Sequence, residues 1–471
     1  MFNQAGLRRL RRNHVDNGVK RFRHSHTKGY QAMGSFHSEN VDVLMSQSDD
    51  VYVPPRLPFD TASVKSGNAG ANGQDFLLDR KTWTFLNHGA FGAALRVGFE
   101  RAEQWRLHLE RQPLRYFDRD LLPHLVYSAR RLADFCDAPR EATTLIPNVT
   151  YGLNTVLSGY VRHYGDDAHI ILWDTSYGSL KKMAYQYCQN VLEIPVSEYL
   201  SRFDAVDDPS NIFELALSDK LASMNLDTTN ALLILDHTTS NTAINMPLQS
   251  LSKFAKERQM LTMVDGAHGL LAQEVSLNSL PDVDFYIANG HKWLACPRGI
   301  GLLYCPSLEL RDSVLEQPAV ISHGIGQGFH TRFLWDGCRD YGAALSVPAV
   351  LDYWEQKGVR EVQREIQSKL EEAVALLSKA WHASDQPTTL APLELHSPMM
   401  ALVKLPEALQ KSPSSSDDAK SIQDFLFDHF VEVPIKCING ELYVRISCHT
   451  YNELCEYERL ADTLLMYDPK T

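Results

Sequence analysis

The chain has 471 residues, 44% of them hydrophobic and 22% charged, with a formal net charge of −12. That length suits two or three domains with large cores; the acidic balance excludes an overall attraction to nucleic acid or anionic membrane, and no apolar run approaches the ~18 residues of a membrane span. The eight cysteines are scattered with no CxxC pair, so neither zinc ligation nor thioredoxin-like redox chemistry is expected, and reduced intracellular thiols are the simplest account.

Residues 1–30 carry Arg8, Arg9, Arg11, Arg12, Lys20, Arg21, Arg23 and Lys28 against the single acid Asp16. An Arg-rich, acid-poor start without an apolar core argues against a secretory signal. It permits a mitochondrial transit peptide, and the other reading is a basic tail on a cytoplasmic protein. Met33-Gly34-Ser35 resembles a myristoylation start but is internal. Residues 31–75, rich in Ser, Asp, Asn and Gly and holding Pro54, Pro55 and Pro58, continue as a flexible segment. The expected division is therefore a leader over 1–80, a large domain over 81–340 and a smaller one over 341–471.

Helical spacing of apolar residues runs from 94 to 135 (Phe99, Trp105, Leu109, Leu121, Leu125, Leu132). Short apolar runs then alternate with helical segments: Thr144–Ile146, His169–Trp173, Val191–Pro195, Ala231–Asp236, Leu261–Asp265, Phe285–Ala288 and Ile300–Tyr304. Runs of this length between helices are buried strands of an α/β sheet. Beyond 340, helical patterns at 341–355 and 359–380 lead to a strand at Met400–Val403, a polar loop, a helix, a strand pair Glu432–Lys436 and Glu441–Ser447, and a final helix Asn452–Leu465. That is a smaller α+β unit, and ligands are expected where it meets the carboxyl ends of the main sheet.

The most informative residues end two of those runs. Asp265 closes Val264-Asp265-Gly266-Ala267-His268, and Lys292 follows the next strand in Asn289-Gly290-His291-Lys292-Trp293. This is the layout of a pyridoxal-phosphate site: a lysine condenses with the cofactor aldehyde, and a carboxylate keeps the pyridine nitrogen protonated so the ring can accept electrons. The alternative is a helix cap and a surface lysine. Asn148-Val149-Thr150 lies between a strand and a helix, where backbone N–H groups and a hydroxyl cradle a phosphate, or where a threonine merely caps. Tyr177 follows the strand ending at Trp173 and is placed to stack on the ring, or to sit in the core. His268 is within reach of the phenolic oxygen, His291 of the phosphate, and Ser240 of the phosphate or Lys292. Arg445 stands in the apolar strand Leu442–Ser447; an arginine there is costly unless paired, and a substrate carboxylate would pair it. The other reading is the exposed face of an edge strand.

Together these residues resemble the class V aminotransferase superfamily of pyridoxal-phosphate fold type I, most closely the branch holding isopenicillin N epimerase and the plant-type L-cysteine desulfhydrases. The resembling motifs include Phe85–Gly92, Arg111–Phe117, Asn148-Val149-Thr150, Leu235–Ser240, Val264–His268, His291-Lys292-Trp293, Gly337–Tyr341 and Val444–Ser447. The resemblance implies a large mixed, mostly parallel sheet domain plus a smaller C-terminal α+β domain, and a homodimer with the cofactor near the subunit boundary. It implies Lys292 as the cofactor-binding lysine, Asp265 as the pyridinium partner, Asn87, His88 and Gly89 lining the substrate pocket, and Arg445 holding the α-carboxylate. Cys338 stands where the family often has a threonine that helps hold phosphate across the dimer. The expected activity is that of a carbon–sulfur lyase on L-cysteine or a conjugate, giving pyruvate, ammonia and sulfide. Epimerase or aminotransferase action on the same scaffold is the alternative, with His88 or Tyr177 as an acid on the far face, and a non-catalytic protein of this fold is the remote one. Cys437 reads as structural, because Pro434–Gly440 is a strand and tight turn.

Overall fold

The computed structural model describes residues 41–60, 75–200, 211–224 and 227–468; the basic segment 1–30 and Met33-Gly34 lie outside them. The strands are β1 (Thr84–Phe85), β2 (Thr143–Ile146), β3 (His169–Trp173), β4 (Asn190–Ile194), β5 (Leu232–Asp236), β6 (Leu261–Gly266), β7 (Phe285–Asn289), β8 (Gly301–Tyr304), β9 (Met400–Lys404), β10 (Val431–Glu432), β11 (Ile435–Ile438) and β12 (Glu441–Ser447).

Seven of them form the main sheet in the order β2-β8-β7-β6-β5-β3-β4. β8 runs antiparallel to both neighbours, and the remaining pairs are parallel. The central strands are buried along their whole length, as the sequences LLILD and FYIAN require, because helices cover both faces of a parallel sheet. After β3 the chain moves outward to β4, then returns to the other side of β3 for β5. At such a reversal the carboxyl ends of neighbouring strands open on a common crevice.

The second sheet, β11-β12-β9, is antiparallel. A short parallel pair, β1 with β10, sets Thr84 opposite Val431 and Phe85 opposite Glu432. It draws the segment after β1 onto the second sheet: the Leu86 N–H donates to the Glu432 carbonyl (3.0 Å), and the Ser447 N–H donates to that of Leu86 (2.9 Å). The single strand expected over Glu432–Lys436 is two strands, β10 and β11. Pro434 has no N–H to extend a ladder, and its carbonyl instead accepts from the Arg445 N–H at 3.0 Å.

Residues 41–60 differ from the expected flexible leader. They open with a helix, Val41–Ser46, that buries Val41 and Met45. The Arg130 guanidinium donates to the carbonyls of Leu44 (2.8 Å) and Gln47 (2.9 Å), pairs with Asp49 (3.1 Å), and lies 3.8 Å from the Tyr52 ring centre. Phe59 meets Trp105 edge to face at 5.0 Å. A few apolar anchors spaced among Ser and Asp are enough to dock a polar segment, and composition averages them away. Among the described residues, no helix is long and apolar enough to cross a membrane.

Candidate active site

β5, β6 and β7 deliver the central groups. Asp265 is the fifth residue of β6, 4% exposed, and its Oδ1 accepts the Ala267 N–H at 2.9 Å. Burial raises its carboxyl above the usual range; the Ala267 N–H and the Lys292 charge act the other way. Lys292 follows β7 in a tight turn, with the Ala295 N–H donating to the Lys292 carbonyl (2.9 Å) and Ala295 held at φ 59°. Left-handed backbone at a non-glycine residue is strain of the kind that gathers at functional sites. Gly92 (φ 66°) packs on this turn so closely that a Cβ there would lie 1.8 Å from the His291 carbonyl oxygen.

Lys292 Nζ lies 3.0 Å from His268 Nε2, and the Trp293 indole N–H donates to His268 Nδ1 at 3.3 Å. That indole bond fixes the tautomer. Nδ1 uses its lone pair, so a neutral His268 carries its proton on Nε2 and presents it to Lys292. A donated proton needs a lone pair on Nζ, hence an uncharged amine. Electrostatics lean the same way: burial, opposed by Asp265 and assisted by Arg445, pushes the lysine down to about 8, so part of the amine is uncharged near neutral pH. Burial also holds the His268 imidazole well below its usual value, so it stays neutral.

The expected phosphate cradle is the start of the helix Val149–Tyr164. Asn148 caps it, Oδ1 accepting the Tyr151 N–H at 2.9 Å, and the Val149 N–H donates to Asn289 Oδ1 at 3.0 Å. Thr150 is exposed on the first turn. His291 has a buried Nδ1 without a partner among the described residues, and burial pushes its imidazole down to about 4. Tyr177 caps the helix Gly178–Tyr187 with its ring 47% exposed. Ser240 is engaged through its carbonyl, which accepts from Arg445 Nη1.

Arg445, 4% exposed on β12, has no carboxylate partner among the described residues. Its other contact is Nη2 donating to Asn87 Oδ1 (3.3 Å), and its Nε is buried without a partner. Asn87 in turn donates to Glu432 Oε1 at 3.0 Å. A buried cation facing neutral oxygens, with one N–H unused, is prepared for an anion.

The structure separates the three residues expected to line the pocket. Asn87 reaches Arg445. His88 is fully buried: Nε2 lies 3.0 Å from the Lys292 carbonyl, Nδ1 lies 3.0 Å from Tyr451 OH, and the ring stacks on Trp293. It supports the Lys292 turn rather than lining a pocket, and with both nitrogens occupied it is not a far-face acid. Gly89 is packed where a Cβ would lie 2.8 Å from Met400 Sδ. Cys437 sits within β11 with its thiol on the Ser414 carbonyl at 3.3 Å, and Cys338 is exposed.

Sequence reasoning overlooked Asp236 as an acid in its own right. It ends β5 in register with Asp265 on β6, is 2% exposed, and accepts from Ser176 Oγ at 3.0 Å. Burial and then the Asp265 charge raise its carboxyl well above the usual range. The signal was available, since the consecutive apolar runs Ala231–Asp236 and Leu261–Asp265 both close on Asp. Asn289 and Glu432 were overlooked too, because their roles depend on contacts with distant segments.

A half-buried lysine of lowered basicity, a buried acid, a helix start, an imidazole nitrogen without a partner and an arginine without a carboxylate, the last two among the described residues, fit pyridoxal phosphate and an amino-acid carboxylate. Residues 124–384 match the aminotransferase class-V family. An L-cysteine desulfhydrase of Arabidopsis thaliana is 27% identical over 408 residues, covering 80% of this chain and 86% of that protein. An isopenicillin N epimerase of Amycolatopsis lactamdurans is 28% identical over 414 residues, covering 84% and 98%. Among solved structures, the cystine C–S lyase C-DES in complex with its reaction product cysteine persulfide superposes with a TM-score of 0.65 at 18% identity, covering 82% of this chain and 98% of that one, which is a likeness of fold.

Proposed function

The chain belongs to the aminotransferase class-V family, and from that premise we propose that it is a pyridoxal-phosphate-dependent carbon–sulfur lyase acting on L-cysteine or a cysteine conjugate. The observation that carries the reading is the half-buried Lys292 amine, 3.0 Å from His268 and lowered to a pKa of about 8, with the charge of Arg445, which has no carboxylate partner among the described residues, acting on it. When bound, pyridoxal phosphate supplies an electron-withdrawing ring that stabilises the charge left by a breaking Cα–H bond. In this reading Lys292 would hold the cofactor, Asp265 would pair with its ring nitrogen, and His268 Nε2–H would donate to its phenolic oxygen. The Asn148–Thr150 turn and His291 hold its phosphate, with Ser240 nearby, and Tyr177 covers the ring.

Arg445, steadied by Asn87, binds the substrate α-carboxylate and fixes which Cα bond is broken. Lys292, freed when the substrate amino group takes its place, would take the Cα proton. Its lowered pKa leaves part of the amine neutral near pH 7, whereas an ordinary ammonium would be almost wholly charged. The Cβ–S bond then breaks, the electron pair leaves with sulfur, and hydrolysis gives pyruvate and ammonia beside sulfide or a thiol.

Lyase is favoured over epimerase because inversion at Cα needs an acid on the face opposite Lys292. His88 is committed to Lys292 and Tyr451. Tyr177 remains, and the epimerase relatives keep that activity as the second reading, with transamination behind it. The reading also includes a homodimer, with the exposed Cys338 loop near the subunit boundary, and a cytoplasmic or mitochondrial setting decided by residues 1–30. Purified protein with cofactor and L-cysteine is expected to release sulfide and pyruvate in equal amounts, and Lys292→Ala to release neither. Epimerised cysteine without sulfide would replace the lyase by the epimerase. Full turnover by Lys292→Ala would overturn both.

A further inference from the structure

A second cation shares the sheet face that carries Arg445. Lys436 on β11 stands directly opposite Tyr443 of β12. Side chains alternate along a strand, so Arg445 is the next β12 residue on that face. Such diagonal neighbours have Cβ atoms about 7–8 Å apart, within reach of long side chains. Lys436 is half buried, and burial, followed by the Arg445 charge, holds its ammonium down at about 8. Among the described residues its ammonium has no hydrogen-bond or ion-pair partner. The other lysine of this sheet behaves differently: Lys404 pairs with Glu441 (2.7 Å) and Glu407 (3.3 Å), and its pKa rises. Glu441 also accepts from Tyr443 OH at 2.7 Å, so the nearest acid on β12 is already engaged.

Two partly desolvated like charges on one face, neither paired with a carboxylate among the described residues, are unfavourable side by side. They suit a ligand with two anionic groups. We infer that Lys436 reads a second anion on the substrate, so that the preferred substrate is an L-cysteine whose sulfur carries an acidic substituent, such as an S-carboxyalkyl or S-sulfo group. The inference rests on the lyase reading and narrows it. Arg445 takes the α-carboxylate and Lys436 the group beyond sulfur. For S-carboxymethyl-L-cysteine the reaction consumes one water: the Cα–H and Cβ–S bonds break, Lys292 takes the proton, and the sulfur leaves with the electron pair. The products are thioglycolate, pyruvate and ammonia, with no net oxidation.

The test compares S-carboxymethyl-L-cysteine with its neutral isostere S-carbamoylmethyl-L-cysteine. The proteins are the holoenzyme and its Lys436→Met, Lys436→Gln and Lys436→Arg variants, read by pyruvate release and by calorimetric titration. The wild type is expected to prefer the acid over the amide by at least about tenfold in kcat/KM and in Kd, a difference of ~1.4 kcal/mol. Lys436→Met and Lys436→Gln should erase that ratio, and Lys436→Arg should keep most of it. Equal handling of acid and amide by the wild type overturns the inference, as does a preference that survives in both neutral variants. If neither compound yields pyruvate but the binding preference is present and depends on Lys436, the role of Lys436 stands and the lyase reading falls.

Discussion

Replacing Arg445 by Met separates a residue kept for the ligand from one kept for the fold. Burial alone brings the guanidinium down to about 10, a fall from its ordinary value worth ~3 kcal/mol against the charged form at 1.36 kcal/mol per pKa unit. Set against that are the contacts to the Ser240 carbonyl and Asn87 Oδ1, together worth ~3 kcal/mol at about 1.5 kcal/mol for each hydrogen bond to a charged group. Methionine fills much of the same volume without the charge. The ligand-free Arg445→Met protein is therefore expected to match wild-type stability or slightly exceed it, to within ~1 kcal/mol, read from urea denaturation. Substrate affinity should move the other way: losing one partner of a desolvated charge pair costs ~2–5 kcal/mol, at least about thirtyfold in KM or Kd. Destabilisation by more than ~3 kcal/mol with an unchanged KM would refute the reasoning and make Arg445 a structural residue.

Cofactor capture by the apoprotein should accelerate through pH ~8, because Lys292 attacks as the free amine and its pKa is about 8; a midpoint near 10 would mean an ordinary lysine. The same shift has a stability sign. Between about 8 and the ordinary lysine value the unfolded chain binds more protons than the folded one, so the Lys292 contribution to apoprotein stability rises with pH in that window. The stability deficit of wild type relative to Lys292→Met should shrink over it, and a growing deficit would contradict the burial argument. Asp236 has the opposite sign. Its raised pKa means the fold retains a proton that the unfolded chain releases above the usual carboxylate range, so stability falls as pH rises from there. Asp236→Asn should therefore be more stable than wild type at pH 7, and a lower melting temperature there would show that the ionised form matters to the fold. Cys437→Ala should keep kcat within about twofold, since the thiol bonds only the Ser414 carbonyl; loss of sulfide release would instead make it a sulfur carrier.

The main sheet was readable because strands buried on both faces leave continuous apolar runs, and β3, β5, β6 and β7 fall where those runs predict. Asp265 and Lys292 stood out because each follows such a run and so must emerge at a strand's carboxyl end. What could not be read depends on contacts between distant segments. The Asp236–Asp265 pairing needs the register of β5 on β6. The burial of His88 needs Tyr451 and the Lys292 carbonyl, and the arginine contact of Asn87 needs β1 beside β10. Residues 41–60 were misjudged because their few apolar anchors are diluted by polar neighbours.

The pairing of Thr84 and Phe85 with Val431 and Glu432 also orders events in time. Domains tend to fold from the N-terminus as the ribosome delivers them, so Asp265 and Lys292 can be in place while the last stretch is still being made. Asn87 has no β10 to dock beside, and no arginine to meet, until that stretch emerges. On the roles proposed for Asn87 and Arg445, a newborn chain halted short of β10 would possess its lysine and its acid yet lack the grip on a substrate carboxylate, so discrimination among amino acids would wait for the end of translation.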